Sequence, residues 1–248
     1  MWLSRLELRA DAPERLEFWR EVASPGGAHK ALWKVFARGP VQTRDFLFRH
    51  DEGRARGAGR VRFYVLSHQP PASDGGGLWS VETKPFAPVI EPGDRLAFSL
   101  RASPTVKRSA GRNGADSPGQ GRRHDVVQDL RLRAKSKSEP IELVDAVREA
   151  GLRWLNAKAE RAGFEVSSVA EAEDDGMSFG EEARSPIRID GYRQHRVPRP
   201  GGSPIRFSTL DFEGVLVVRD PARFIEQVKV GFGPQKAFGC GLMLLRRA

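Results

Sequence analysis

The chain of 248 residues is long enough for one large or two small domains with a sizeable core. Lys and Arg number 41 against 32 Asp and Glu, a formal net charge of +9 that favours a polyanionic partner, either nucleic acid or an acidic membrane surface. A single cysteine, Cys240, excludes an intrachain disulfide and a cysteine-rich zinc site, and no stretch approaches the roughly 18 apolar residues of a spanning helix.

The opening "WLSRLELR" alternates apolar and polar residues, with Trp2, Leu6 and Leu8 on one face, and predicts a strand. Charges at Arg5, Glu7, Arg9 and Asp11 rule out a signal-peptide core, so a soluble cytoplasmic protein without a membrane partner is expected. Helical stretches follow over 12–22 and about 28–38, broken by "SPGG". "RDFLFRHD" and "RVRFYVLS" read as strands joined by a Gly-rich polar run, and "HQPPASDGGG" as a loop. Residues 78–81 can add one short element. Pro85, Pro88 and Pro92 then mark a boundary, giving domains at 1–84 and 94–248 around a linker at 85–93.

The second half restarts with "DRLAFSLRA", where Leu96, Phe98 and Leu100 alternate as in a strand. Residues 105–138 are basic and almost without apolar period, and read as a long loop. A helix is expected over 139–162, its buried stripe formed by Ile141, Val144, Val147, Gly151, Trp154 and Leu155. "GFEVSSV" and "IRIDGYRQHRV" are strands, and "PRPGGSP" turns the chain back into "IRFSTLDFEGVLVVRD". Asp220 and Pro221 have the residue types of an N-cap and a first helical position, for a helix ending at Gly231. A glycine loop and a last strand, "GLMLLRR", follow. Each half can be written β-α-β-β-(α)-β, which predicts an α+β protein of two tandem ferredoxin-like (RRM-like) βαββαβ domains.

The loop "GFGPQKAFGCG" holds Gly231, Gly233, Gly239 and Gly241 around Lys236. It is not a Walker loop, since no Lys-Ser or Lys-Thr follows and a strand comes next. It is not a dinucleotide loop, since the sixth position is Lys236 and too little chain remains for a βαβ unit. No nucleotide cofactor is therefore expected. The spacing Gly-x-Gly-x5-Gly-x-Gly permits positive φ and close backbone approach, and its N–H groups together with Lys236 suit phosphates.

"GFGPQKAFGCGLMLL" resembles the C-terminal glycine-rich signature of the CasE family, the CRISPR-RNA endoribonucleases of the type I-E Cascade complex within the RAMP superfamily. "MWLSRLEL", "AHKALWKVF" and "KPFAPVIEPGDRLAFSLRASPTVKR" extend the resemblance over most of the chain in the same order. It implies tandem ferredoxin-like domains, as read above. It also implies metal-independent cleavage of CRISPR precursor RNA at the 3′ base of the repeat stem-loop. The partners implied are the repeat hairpin, the mature crRNA and other Cascade subunits, especially the backbone subunit next to the 3′ hairpin.

Such cleavage uses the 2′-OH of the strand as nucleophile and needs an acid, a base and a cation near the phosphate. Of five histidines, His29 opens a helix along which Lys30, Lys34 and Arg38 form a basic stripe. By its own pattern His29 also fits a partly buried structural histidine, since it shares a face with Leu32, Trp33 and Phe36. The resemblance assigns it the catalytic role. Related enzymes can carry a tyrosine three residues earlier, where Gly26 stands here, so either His29 works with a lysine such as Lys30 or Lys34 or cleavage is slower than in those relatives. The two "RHD" stretches, at His50-Asp51 and His124-Asp125, lack the further ligands of a metal hydrolase. RNA contacts are expected from Arg101, Lys107 and Arg108, from Arg193, Arg196 and Arg199 of the hairpin, and from Gly231, Gly233, Lys236, Gly239 and Gly241. The rival reading is a non-catalytic RNA-binding subunit of the same superfamily.

Overall fold

The computed structural model describes residues 1–12, 15–22, 26–36, 46–51, 61–72, 77–108, 122–166, 187–199 and 201–248. The chain forms two compact units that are not contiguous in sequence. The first gathers Met1–Val89, His195–Phe207 and Val228–Leu242; the second gathers Ile90–Gln194, Ser208–Gln227 and Met243–Ala248.

In the first unit, β1 (Trp2–Leu8) buries Ser4, Leu6 and Leu8 and exposes more of the residues between them, as period-two alternation requires. It pairs with β3 (Arg62–Ser67) on one side and β4 (Trp79–Pro85) on the other, and β2 (Phe46–Asp51) pairs with β3. The antiparallel order is β2-β3-β1-β4. Leu6 sits opposite both Phe63 and Val81, which fixes the register at the centre of the sheet. The helices α1 (Arg15–Val22) and α2 (Gly27–Trp33) close the core with Phe18, Ala31 and Leu32, around Phe48, Phe63 and Trp79. Phe18 and Phe63 both meet Trp79 edge-on, at 5.1 and 5.6 Å. Each such fully buried side chain contributes about 1.5–3 kcal/mol, so this cluster is what holds α1 and α2 on the sheet.

The second unit is built on β5 (Arg95–Ala102), whose Leu96, Phe98, Leu100 and Ala102 are buried. It pairs with β10 (Gly202–Val218) and with β11 (Met243–Arg247), and β8 (Phe164–Val166) pairs with the far side of β10. β9 (Arg188–Arg199) forms a long hairpin with β10. The helix α4 (Leu143–Ala162) buries Val147, Gly151, Trp154 and Leu155, and Trp154 stacks on Phe212 at 5.6 Å. The helix α5 (Pro221–Val230) starts where expected, with the Arg223 N–H donating to the Asp220 carboxylate at 3.1 Å. Without β9 and the elements within 105–136, the order β5-α4-β8-β10-α5-β11 folds into a sheet of order β11-β5-β10-β8. Fourth strand beside first, first beside third, third beside second is the ferredoxin-like arrangement. The first unit has the same order, with no α-helix between β3 and β4 among the described residues.

Several expectations change. The stretch 105–138 is not one loop: it contains β6 (Thr105–Arg108), β7 (Arg122–Asp125) and α3 (Val126–Ser136), with residues 109–121 outside the described set. Asp125 starts α3, its carboxylate accepting from the N–H groups of Val127 and Gln128 at 2.7 and 3.0 Å. In α3 only Val127 is fully buried, so no apolar period advertised the helix. Val144, placed on the buried stripe of α4, is exposed in its first turn. Pro85 is the last residue of β4, and the first unit's opening segment runs to Val89. The distal hairpin and the glycine loop group with the first unit. The glycine loop seats on β2, and the hairpin end meets that loop through Phe207 and Phe238.

Candidate functional site

All four glycines of the C-terminal loop have positive φ, between 77° and 97°. At Gly241 (φ +97°) a Cβ would lie 2.9 Å from the Phe232 carbonyl oxygen and 3.2 Å from its nitrogen, while the Phe232 N–H donates to the Gly241 carbonyl at 2.9 Å. The loop thus closes on itself, backbone to backbone, with Phe232 and Cys240 fully buried as its anchors. It also seats on β2. A Cβ at Gly231 would meet Leu47 at 2.8 Å, and one at Gly239 would meet the Phe48 ring at 3.2 Å.

The middle of the loop is a 3-10 turn, Lys236–Phe238, packed against α2 and β2. The Lys236 side chain is partly buried there, and that burial holds its ammonium below the ordinary lysine range. The Phe238 ring lies 4.9 Å from Phe207, which itself stacks on His195 at 4.6 Å and 18°. Both belong to the end of the β9–β10 hairpin, so one aromatic run links the hairpin end to the glycine loop.

His29 sits on α2, partly buried, its ring nearly parallel to Phe46 at 5.0 Å and 19°. Trp33 and Phe48 flank it at 5.7 and 6.0 Å. Phe48 therefore touches both the histidine cluster and the glycine loop, and β2 is the shared floor beneath two segments some two hundred residues apart. Gly26, just before α2, has φ +78°, and the Phe238 ring lies 3.9 Å from where its Cβ would stand. A side chain at that position would be strained, which gives a backbone reason for glycine there. The sequence pairs His29 with Lys30 or Lys34. Lys30 is exposed, whereas Lys34 donates to the Glu21 carboxylate of α1 at 2.9 Å. Lys236, from the loop, lies beside the same helix.

The basic residues divide. Arg196 and Arg199 are exposed on the hairpin part that groups with the first unit, and Arg193 is exposed on β9 within the second. Arg206, exposed on β10 facing back along the same hairpin, was not singled out, because it is one of many arginines in the sequence. In the second unit Arg101 holds Asp211 across the β5–β10 pair, with both nitrogen–oxygen distances 2.8 Å. Arg108 holds Asp129 through two hydrogen bonds, and these keep the Asp129 carboxyl below the usual carboxylate range. Both guanidiniums, expected to face RNA, are thus engaged by protein carboxylates, while Lys107 is exposed.

Comparison with known proteins places this architecture. The family model for CRISPR associated protein matches residues 1–247. CRISPR-associated endoribonuclease Cse3 of Thermus thermophilus is 28% identical over 252 residues, covering 98% of each chain. CRISPR system Cascade subunit CasE of Escherichia coli is 28% identical over 217 residues, covering 88% of this chain and 89% of that one. A solved structure of CRISPR endoribonuclease Cse3 bound to 19 nt RNA superposes with a TM-score of 0.69 at 25% identity, over 99% of this chain and all of the other. With the family model matching residues 1–247 and both relatives matched along nearly their whole length, the chain belongs to the CRISPR-associated protein family, as a protein of the CasE type.

Proposed function

We propose that this protein is an endoribonuclease that cuts CRISPR precursor RNA at the 3′ base of the repeat stem-loop and then stays on the product as a Cascade subunit in the cytoplasm. The observation that carries the reading is the meeting, on β2, of His29, the glycine loop and Lys236. An acid–base group and phosphate-facing backbone come together in a chain similar to an RNA-bound endoribonuclease. His29 would move the proton of the attacking 2′-OH or of the leaving 5′-oxygen. Lys236, and Lys30 or Lys34 of α2, would offset the charge that grows on the phosphate. The loop glycines would let the RNA backbone approach N–H groups without side chains intervening. Arg193, Arg196 and Arg199 would hold the stem from the hairpin, close to a stem end where the A-form major groove opens.

The test is incubation of the protein with its repeat hairpin in EDTA, followed by mapping of the product ends. One cut at the 3′ base of the stem, leaving a 5′-hydroxyl and a cyclic or 3′-phosphate, is the expected result. No cut in EDTA overturns the metal-independent mechanism, and tight binding without any cut under any condition favours the non-catalytic subunit.

The lowered pKa of Lys236 gives a pH dependence. Its charge is lost on raising the pH before that of an ordinary lysine, whose pKa is 10.5. Hairpin affinity of the wild type should therefore start to fall at lower pH than that of Lys236→Arg, whose guanidinium stays charged. Binding titrations between neutral pH and pH 10 check this; parallel curves would remove Lys236 from the contact.

A further inference from the structure

β6 and β7 form a two-stranded antiparallel ribbon with no third strand beside it among the described residues. Its register sets Lys107 directly opposite Arg123, with Val106 opposite His124 and Thr105 opposite Asp125. Directly opposed side chains share a face, with Cβ atoms about 4.5–5.5 Å apart, and like charges so placed are destabilising. Ribbons of this length are marginal by themselves, so the repulsion falls on an element with little stability to spare.

The fold treats the two faces differently. On one, Arg108 is neutralised by Asp129 of α3, with Nε 3.0 Å from Oδ1, and Arg133 of the same helix lies 3.9 Å from that carboxylate. On the other, Lys107 and Arg123 are both exposed, and among the described residues neither has a carboxylate partner. Consecutive residues of a strand point to opposite faces, so Asp129 cannot serve both. The strands beneath the pair are held firmly. The Asp125 carboxylate caps α3 and also accepts from the Tyr192 hydroxyl of β9 at 2.9 Å, and Gln128 and Gln194 each donate to that hydroxyl at 3.1 Å. Two cations are thus held on one face of an anchored ribbon, with no ion-pair partner among the described residues.

We propose that Lys107 and Arg123 form a two-cation clamp for one backbone phosphate of the bound RNA, and that Arg108 is its brace and not a contact. The inference rests on the reading of the chain as a repeat-hairpin binder. A phosphodiester presents two non-bridging oxygens, which a guanidinium fork and an ammonium from adjacent strands can take together. The face carries Thr105 and Asp125 beside the pair and no large apolar side chain, and the Asp125 carboxylate is taken up by the Val127 and Gln128 N–H groups and the Tyr192 hydroxyl, as suits a phosphate better than a protein interface with its apolar centre.

The experiment measures affinity of the full-length protein for the repeat hairpin over a series of salt concentrations. Wild type, Lys107→Ala, Arg123→Ala, the double variant and Arg108→Ala are compared, with a thermal melt of each free protein. The double variant should lose roughly 3- to 10-fold in affinity. Its slope of log K against log[salt] should fall by about 0.7–0.9, the value for one phosphate. Each single change should produce most of that loss, and the double variant should melt no lower than wild type, because the repulsion is gone. Arg108→Ala should keep the slope and melt lower.

An unchanged slope in the double variant, or a reduced one in Arg108→Ala, overturns the clamp while leaving hairpin binding intact. Failure of the wild type to bind the hairpin overturns the functional reading, and the clamp with it. Normal RNA binding by the double variant with lost assembly onto other Cascade subunits would reassign the pair to a protein partner.

Discussion

Replacing His29 by alanine should reduce the rate of hairpin cleavage by about 10²- to 10⁴-fold, the range for loss of a positioned acid–base group, with hairpin affinity within about twofold of wild type. The separation of rate from affinity follows from the surroundings of the ring. His29 is only partly buried, and its described ring contacts are Phe46, Trp33 and Phe48, which pack on one another without it. Of the phosphate-facing groups in the proposal, Lys236 and the hairpin arginines lie on other elements, and Lys30 and Lys34 beside His29 keep their side chains. Loss of a stacked ring could still loosen α2, so His29→Phe is the informative companion. It preserves the stack on Phe46 and removes both nitrogens. Single-turnover cleavage with a labelled repeat hairpin, alongside a melt, reads both variants. A His29→Phe protein that melts like wild type and cuts at wild-type rate would remove His29 from the chemistry.

Much of the fold is legible in the chain because its strands are half-buried. β1 and β5 advertise themselves by strict alternation, and Asp220-Pro221 marks the start of α5 by local chemistry alone. The same logic fails between 105 and 138. α3 begins with a good cap at Asp125, yet buries little beyond Val127, so its charges read as a loop. The ribbon leading into it carries charge on both faces, and alternation has nothing to show. The glycine loop was legible as a loop needing positive φ, but its place was not. Its seat is made by Leu47 and Phe48, which no local pattern connects with residues 231–241. For the same reason a boundary read from prolines carries no information on how the hairpin end and the glycine loop group with residues 1–89. Engagement of Arg101 and Arg108 by Asp211 and Asp129 depends on register and helix placement, which a one-dimensional count of cations does not contain.

Gly241→Ala tests whether that seat is structural, and it should be the most damaging single substitution in the loop. Two effects add. A non-glycine residue at φ +97° carries about 1–3 kcal/mol of backbone strain. Its methyl would also stand 2.9 Å from the Phe232 carbonyl oxygen, a backbone atom that cannot swing aside. The hydrogen bond from Phe232 to Gly241 would have to lengthen, and Phe232 is fully buried. A total loss of roughly 2–4 kcal/mol is expected, or a fall in melting temperature of about 4–15 °C for a chain of this size. Gly201 supplies the control, since its φ is +68° and nothing lies within 4 Å of the position of its Cβ. Gly201→Ala bears the backbone strain without the clash and should lose clearly less. Opening the loop would also move the turn that carries Lys236 and Phe238 away from α2. Gly241→Ala should therefore lower hairpin affinity and cleavage together, a pattern opposite to that of His29→Ala. Equal melting temperatures for Gly241→Ala and Gly201→Ala would show that the loop yields without loss, and that closure onto Phe232 is not what shapes the site.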